Sequence, residues 1–428
     1  MTSPLRIAIA GLGTVGTGVV RMIQTHGELI AQRAGRPVEI VAVSARSKDK
    51  ARDVDLSAYA WEDDAAALAQ RADVDLVVEV IGGTSGPARD AVEQSLANGK
   101  HVVTANKALL AEGGHALAKA AEAAGVALRF EAAVAGGIPI VKALTEGLAG
   151  NQITRVMGVM NGTCNYILTT MEHTGAAYAD VLADAQKLGY AEADPSFDVG
   201  GIDAAQKLAI LSSIAFGTEV DFDGVKVEGI ERVSLMDIEQ AAEMGYRVKL
   251  LGVARMNGAA LEQRMQPCLV PATSPIGQLE SVTNMVVVEG DFIGQTVYQG
   301  PGAGEGPTAS AILGDIIDVA RGLMIPAFGQ PATNLVKAER AETGLGAAYY
   351  LRLTLEDAPG VLARVADALG RQGISINQMR QNAHEAGTAP VLIVTHPCGR
   401  IALDKALEEI AAHKTSLDQP VALRIEQV

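Results

Sequence analysis

Between Gly189 and Lys207 the chain reads Gly-Tyr-Ala-Glu-Ala-Asp-Pro-Ser-Phe-Asp-Val-Gly-Gly-Ile-Asp-Ala-Ala-Gln-Lys. Glu192, Asp194, Asp198 and Asp203 crowd this stretch, and Lys207 closes it. Pro195 and the pair Gly200-Gly201 keep the first part in a loop, and a helix is expected from about Ile202. In that helix Asp203 and Lys207 stand one turn apart, on the same face. The continuation, Leu208-Ala209-Ile210-Leu211, is too apolar for a solvated helix, so the pair is expected on a buried element. An exposed ion pair, worth roughly 0.3–0.5 kcal/mol, would account for Asp203 and Lys207 but not for the other carboxylates beside them. A lysine that exchanges a proton among carboxylates that hold an ammonium group suits chemistry on a small amino acid.

The first 130 residues must supply a partner for that chemistry. Ile7-Ala8-Ile9-Ala10 reads as a buried strand, followed at once by Gly11-Leu12-Gly13-Thr14-Val15-Gly16 and a helical run from Thr17 to Ala34. A Gly-x-Gly-x-x-Gly between strand and helix allows a tight turn at Gly11, close approach of a pyrophosphate at Gly13 and close helix–strand packing at Gly16. The second strand, Val38 to Val43, ends in Ser44-Ala45-Arg46-Ser47-Lys48, where NAD-binding chains carry a carboxylate for the ribose. Hydroxyls with Arg46 and Lys48 suit a 2′-phosphate, so NADP is expected over NAD, which remains a possible second cofactor. Strands at Leu76–Val80 and His101–Thr104 alternate with helices, which implies a doubly wound parallel sheet whose ligands gather at the strands' C-terminal ends. Gly83, Thr104 and Lys107 stand at such ends.

Further along, Val156 to Met160 leads into Asn161-Gly162-Thr163-Cys164, a strand entering a helix with amides and a hydroxyl suited to a carboxylate. Thr163 and Tyr190 therefore join the candidate substrate contacts. Segments at 246–256, 263–270, 285–288 and 292–298 read as a largely antiparallel sheet, and Gly300 to Thr308 forms a second glycine-rich entry to a helix at 305–321.

With these motifs in this order, the chain resembles the homoserine dehydrogenase family over essentially its full length. The resemblance implies reversible NAD(P)-dependent interconversion of L-homoserine and L-aspartate 4-semialdehyde. It implies Leu12, Thr14, Val15, Gly83, Lys107, Gly189 and Gly304 as cofactor contacts, Glu192 and Asp203 as substrate contacts, and Lys207 as proton donor or acceptor. Asp198 is expected to assist Glu192 in holding the substrate ammonium. The resemblance also implies a sodium site at Glu131, Val134, Gly136 and Ile138, the last three through their carbonyls. A homodimer or homotetramer is expected.

Residues 349–428 read as strand, helix, two strands, helix and strand, the ferredoxin-like order. The turn Asp357-Ala-Pro-Gly360-Val-Leu resembles an ACT domain, which implies a small-molecule sensor. L-Threonine is the expected feedback effector, near Asp357, Gly360 and Asn377. The organisation is thus a Rossmann-type domain at 1–130, an α+β catalytic and dimerisation domain at 131–330, a linker at 331–348 and an ACT domain at 349–428, with the helix at 305–321 expected to pack back on the first.

Composition bounds the alternatives. A formal net charge of -15 disfavours nucleic acid and anionic membrane as partners. Three scattered cysteines make no disulfide framework, and no run approaches a membrane span, so a cytoplasmic location is expected. An acylating semialdehyde dehydrogenase would need Cys164 as nucleophile, and a non-catalytic amino-acid sensor would have no use for Lys207.

Overall fold

The computed structural model describes residues 3–341, 344–381, 388–413 and 415–428. The early apolar runs become parallel strands because most are buried on both faces. β1 (Leu5–Ala10), β2 (Val38–Ser44), β3 (Ala60–Glu62), β4 (Leu76–Glu79), β5 (His101–Thr104) and β6 (Leu128–Arg129) align in the order β3-β2-β1-β4-β5-β6. Every neighbouring pair is parallel. The order reverses between β1 and β4, which opens a crevice at their C-terminal ends.

The helix Glu305–Ala320 returns to this layer. Its Ala309, Ile312, Leu313, Ile316 and Val319 share one buried core with β1 and the Thr14–Ala34 helix, and Glu305 pairs with Arg21.

Among the described residues the second sheet has eleven strands. β7 (Ile153–Val159), β8 (Lys226–Val227), β9 (Tyr246–Asn257), β10 (Ala260–Pro271), β11 (Thr283–Gly290) and β12 (Gly294–Pro301) belong to its first part. β13 (Glu339–Arg340), β14 (Tyr349–Glu356), β15 (Ile376–Gln381), β16 (Thr388–Thr395) and β17 (Val421–Ile425) complete it. The order is β12-β11-β7-β9-β10-β17-β14-β16-β15, with β8 and β13 also paired to β10. The ferredoxin-like motif is therefore continuous with the preceding sheet: Cys268 pairs with Arg424 and Leu269 with Ile425, in parallel. So short a seam carries no periodicity, which is why sequence pattern does not reveal it.

Local differences from the sequence reading have simple causes. The first long helix begins at Thr14, because the Gly13 carbonyl already accepts from Thr17 N. The loop before Ile202 contains a short helix, Ser196–Val199. The stretch expected as a linker is partly tied down, since β13 pairs with β10 and Arg340 bonds Asp221. Among the described residues no helix is long and apolar enough to cross a membrane.

Candidate active site

A cleft of about 1130 Å³ lies between the two sheets, bordered by Val15, Gly82 and Lys107 on one side and by Asn161, Asp203 and Lys207 on the other. Its floor is set by the helix Ile202–Phe216, which is buried for nearly its whole length. That helix starts after Gly201 (φ 82°) and carries Asp203 in its first turn, where the helix N-terminus favours an anion. Lys207 Nζ lies 2.7 Å from Asp203 Oδ2 and donates to the Met160 carbonyl at 2.9 Å. Lys107, the first residue of the Lys107–Ala124 helix, places its Nζ 3.1 Å from Asp203 Oδ1. One carboxylate thus holds two lysines from different layers of the fold.

Asn161 completes the cluster. Its Nδ2 donates to Asp198 Oδ1 at 2.7 Å and to Asp203 Oδ2 at 3.0 Å. Its Oδ1 accepts from Cys164 N at 2.8 Å as the cap of the Gly162–Thr174 helix, which fixes the orientation of the amide. Burial alone would raise the Asp203 carboxyl, but Lys207 and Lys107 hold it well below the usual carboxylate range. Asp198 is shifted the other way, by burial and by the neighbouring Asp203 charge. Two adjacent carboxylates are thereby driven apart in proton affinity.

At the mouth, Thr163 Oγ1 donates to the Tyr190 carbonyl at 2.5 Å, and the Tyr190 ring meets Tyr166 edge-on with centroids 5.0 Å apart. Glu192, Gly189 and Gly304 also line the cleft. Asp194 does not; it bonds Ser196 N in its own turn. Cys164 is fully buried, donates to the Asp198 carbonyl at 3.3 Å, and burial raises its thiol well above the ordinary value. It is no nucleophile, which removes the acylating alternative.

At the dinucleotide end, two of the expected contacts sit back from the cleft wall. Thr104 is buried and does not line the cleft: its hydroxyl donates to Glu79 Oε2 at 2.6 Å and accepts from Asn106 N at 3.0 Å. Gly83 lies beside the cleft but gives its lining place to Gly82; its carbonyl accepts from Asn106 Nδ2 at 2.8 Å. Glu79 in turn accepts from Ile81 N and Gly82 N, at 2.8 and 3.0 Å, so a buried carboxylate shapes the loop. Of the glycine-rich turn, Val15 borders the cleft, Gly13 and Thr14 are exposed, and Gly11 and Leu12 are buried behind them. A Cβ at Gly16 would come within 2.0 Å of the Gly11 carbonyl oxygen, whereas one at Gly13 would meet nothing within 4 Å. The turn is packed behind and open in front, as a pyrophosphate requires, so the residues fit a dinucleotide. Arg46 is exposed at the end of β2. Arg52, which carried no sequence signal, organises that loop by bonding the carbonyls of Leu12, Ser47 and Lys50.

Glu131, Val134 and Ile138 are buried in one tight turn with Gly136, where Ala135 and Gly136 both have positive φ, 54° and 52°. The Glu131 carboxylate accepts from Val141 N and Lys142 N at 2.9 and 2.8 Å. Lys142 reaches Asp315 and Asp318, leaving three carboxylates around one lysine. Hard oxygen donors with surplus negative charge fit a small cation. Among the described residues, no group of three or more His, Cys, Asp or Glu able to hold a metal is present.

In the C-terminal motif, Asp357 and Gly360 line a shallow cavity of about 280 Å³ together with Gln381. Asn377, at the β15–β16 register shift between Ile376 and Gln378, is not among the residues lining it.

A nucleotide-binding parallel sheet and a second layer that brings a buried lysine–aspartate pair to the same cleft define an NAD(P)-binding oxidoreductase, followed by a C-terminal ferredoxin-like domain. Family models for homoserine dehydrogenase match residues 139–317, for the homoserine dehydrogenase NAD binding domain residues 11–131, and for the ACT domain residues 349–414. The chain is 44% identical to homoserine dehydrogenase of Neisseria gonorrhoeae, over 96% of this chain and 95% of that one. It is 42% identical to that of Pseudomonas aeruginosa, over 99% of each. The solved homoserine dehydrogenase of Thiobacillus denitrificans superposes with a TM-score of 0.93 at 41% identity, over 99% of both chains. A hyperthermophilic archaeal homoserine dehydrogenase in complex with NADPH superposes at 0.63 with 26% identity, over 74% of this chain and 97% of that one. The chain belongs to the homoserine dehydrogenase family, and its reaction is the reversible NAD(P)-dependent oxidation of L-homoserine to L-aspartate 4-semialdehyde.

Proposed function

We propose that Lys207 exchanges the proton with the substrate hydroxyl and that Lys107, held on the same carboxylate, secures the cofactor side of the reacting centre. The observation that carries this reading is the Asp203 carboxylate bound by both ammonium groups, at 2.7 and 3.1 Å, inside the cleft. A bound nicotinamide dinucleotide supplies the hydride acceptor. In the oxidising direction Lys207, having first released a proton to solvent, takes the hydroxyl proton as the neutral amine while the carbinol carbon loses hydride; in the reducing direction, as the ammonium, it gives a proton to the aldehyde oxygen. Asp203 keeps the lysines in register and is itself kept ionised by them. Glu192 at the mouth, with Asp198 beside Asn161, holds the substrate ammonium, and Thr163 and Tyr190 line the same cleft.

NADP is the preferred cofactor, supported by exposed Arg46 at the end of β2 with no carboxylate in its place. Sodium binds at Glu131 and the carbonyls of Val134, Gly136 and Ile138, supported by the three carboxylates gathered around Lys142. L-Threonine acts as feedback effector at the turn containing Asp357 and Gly360. The protein is a homodimer or homotetramer: β12 exposes Val297, and Phe292 and Ile293 beside it are exposed as well, an apolar edge suited to self-association. Three free cysteines agree with a reducing, cytoplasmic location.

The test follows L-homoserine oxidation as NADPH absorbance, wild type beside Lys207→Ala. Turnover reduced by about 10²–10⁴-fold with NADP affinity intact supports the assignment. Equal turnover in both proteins moves the proton transfer to another group, Lys107 first.

A further inference from the structure

We propose that Asn284 is a cofactor-binding residue whose side-chain amide pairs with the carboxamide of a bound nicotinamide, accepting from its N–H and donating to its oxygen. The inference deepens the reading that a nicotinamide dinucleotide occupies the cleft, and rests on it.

Asn284 is the second residue of β11 and is 1% exposed, yet it lines the catalytic cleft together with Asn161, Lys207, Gly302 and Gly304. Its Oδ1 has no hydrogen-bond partner among the described residues. A buried acceptor left unpaired is costly to the free protein, so one kept in a binding cleft marks the place of a donor that arrives with a ligand.

Strand register brings this amide to the reacting centre. Met285 pairs with Val159 in the antiparallel β11–β7 ladder, so the next positions, Asn284 and Met160, stand side by side. The Met160 carbonyl accepts from Lys207 Nζ at 2.9 Å. On its other flank Asn284 pairs with Gly300 of β12. The chain then turns through Gly302 directly against the amide: a Cβ there would lie 2.0 Å from Asn284 Nδ2 and 2.5 Å from its Oδ1. A Cβ on Gly136 would in turn lie 2.5 Å from the Gly302 carbonyl oxygen, so backbone supports the turn from behind.

The entry to β11 is fixed as well. Asn165, in the Gly162–Thr174 helix that Asn161 caps, donates through Nδ2 to the Ser281 carbonyl at 2.8 Å, and Ser281 is held at φ 59°. Lys249 Nζ donates to Asn165 Oδ1 at 3.0 Å, which orients that amide. A Cβ on Gly162 would lie 2.5 Å from the Val282 carbonyl oxygen, so helix and strand entry are in close contact. One helix thus sets both Asn161 and the approach to Asn284.

The chemistry of the ligands selects the partner. The substrate carboxylate carries acceptors only and leaves Oδ1 unpaired. Its ammonium is taken by Glu192 and Asp198, and its hydroxyl by Lys207. A primary carboxamide offers a neutral donor and a neutral acceptor side by side, the complement of an asparagine amide. Because the carboxamide is carried by the ring that exchanges hydride, the pairing sets how that ring lies in the cleft.

The experiment is isothermal titration calorimetry of the full-length protein with NADP, with its 3-acetylpyridine analogue, whose methyl ketone has no N–H, and with 2′-phospho-ADP-ribose, which lacks the ring. Wild type is compared with Asn284→Leu, and the melting temperature of each is measured without ligand. Wild type binds NADP at least about 10-fold more tightly than the analogue, and Asn284→Leu binds the two within about 2-fold of each other. The ringless ligand binds both proteins equally, and ligand-free Asn284→Leu melts no lower than wild type, since the amide oxygen it loses was unpaired. Equal affinity of wild type for NADP and the analogue overturns the proposal without recourse to the variant. So does discrimination that survives in Asn284→Leu, or a lowered melting temperature with equal loss of all three ligands, which makes the amide structural. A raised homoserine KM in Asn284→Leu with cofactor discrimination intact moves the amide to the substrate and overturns it too. Failure of wild type to bind either NADP or 2′-phospho-ADP-ribose overturns the dinucleotide reading itself, and this proposal with it.

Discussion

The Lys107 ammonium lies 3.1 Å from Asp203 Oδ1, a contact that joins the helix after β5 to the helix that floors the cleft. Because Lys207 binds the other oxygen, the lysines should fail differently. Lys107→Met leaves the Asp203–Lys207 pair intact, so kcat is expected to fall by about 10–10²-fold with a raised KM for NADP. Lys207→Met should lower kcat by about 10²–10⁴-fold with the NADP KM little changed. Steady-state kinetics with both substrates varied distinguishes the two, and a reversed pattern would exchange their roles.

Asn161 has one amide oxygen committed to the helix cap and its nitrogen to Asp198 and Asp203. Asn161→Asp keeps the cap but replaces the shared donor with a third negative charge. The expected result is a rise in the homoserine KM of at least about 10-fold, with a melting temperature within a few degrees of wild type. A variant with unaltered kinetics would show that the carboxylate pair needs no bridging donor.

Much of this site was legible in sequence because its chemistry is local. Asp203 and Lys207 sit one turn apart, and the glycine-rich turn directly follows a strand. What stayed hidden depends on distant contacts. Asn161 looked like a ligand-facing amide, yet it bridges two carboxylates that come much later in the chain. The end of a strand marks Thr104 as an expected cofactor contact, but that its hydroxyl bonds the Glu79 carboxylate is visible only in the fold. The seam between β10 and β17 rests on two residue pairs, too few to leave a pattern.

The inward position of Thr104 makes its own prediction. Thr104→Val would remove a donor from buried Glu79 and an acceptor from Asn106 N, at a cost of about 1–3 kcal/mol in stability. Since Glu79 also orders Ile81 and Gly82 at the cleft, NADP affinity should fall together with the denaturation midpoint. Chemical denaturation and a fluorescence titration with NADPH measure both. Weakened cofactor binding without loss of stability would instead make Thr104 a direct contact.

Cys164 gives a simple discriminating test. Its buried thiol packs in the core and serves no nucleophilic step, so Cys164→Ala should retain turnover within a few-fold while losing about 1 kcal/mol or more of stability. Loss of activity by orders of magnitude in a folded variant would restore thiol chemistry to consideration.

The Glu131 turn ties a cation to pH. Burial and the nearby Asp315 push the Glu131 carboxyl up to about 7, from an ordinary value of 4.5. Burial also pushes Asp315 up, to about 6. A carboxyl raised in the folded state binds its proton more tightly there than in the unfolded chain. Its contribution to stability is complete below pH 4.5 and is lost as pH rises through about 7. Without sodium, the melting temperature should therefore decline by about 2–5 °C between pH 5 and pH 8 relative to Glu131→Gln. A sodium ion at the Glu131 carboxylate favours the ionised form and removes that decline. Calorimetric scans in choline chloride and in sodium chloride at equal ionic strength read the difference. Superimposable curves for wild type in the two salts would remove sodium from the turn, whereas a sodium effect that vanishes in Glu131→Gln would place the ion on that carboxylate.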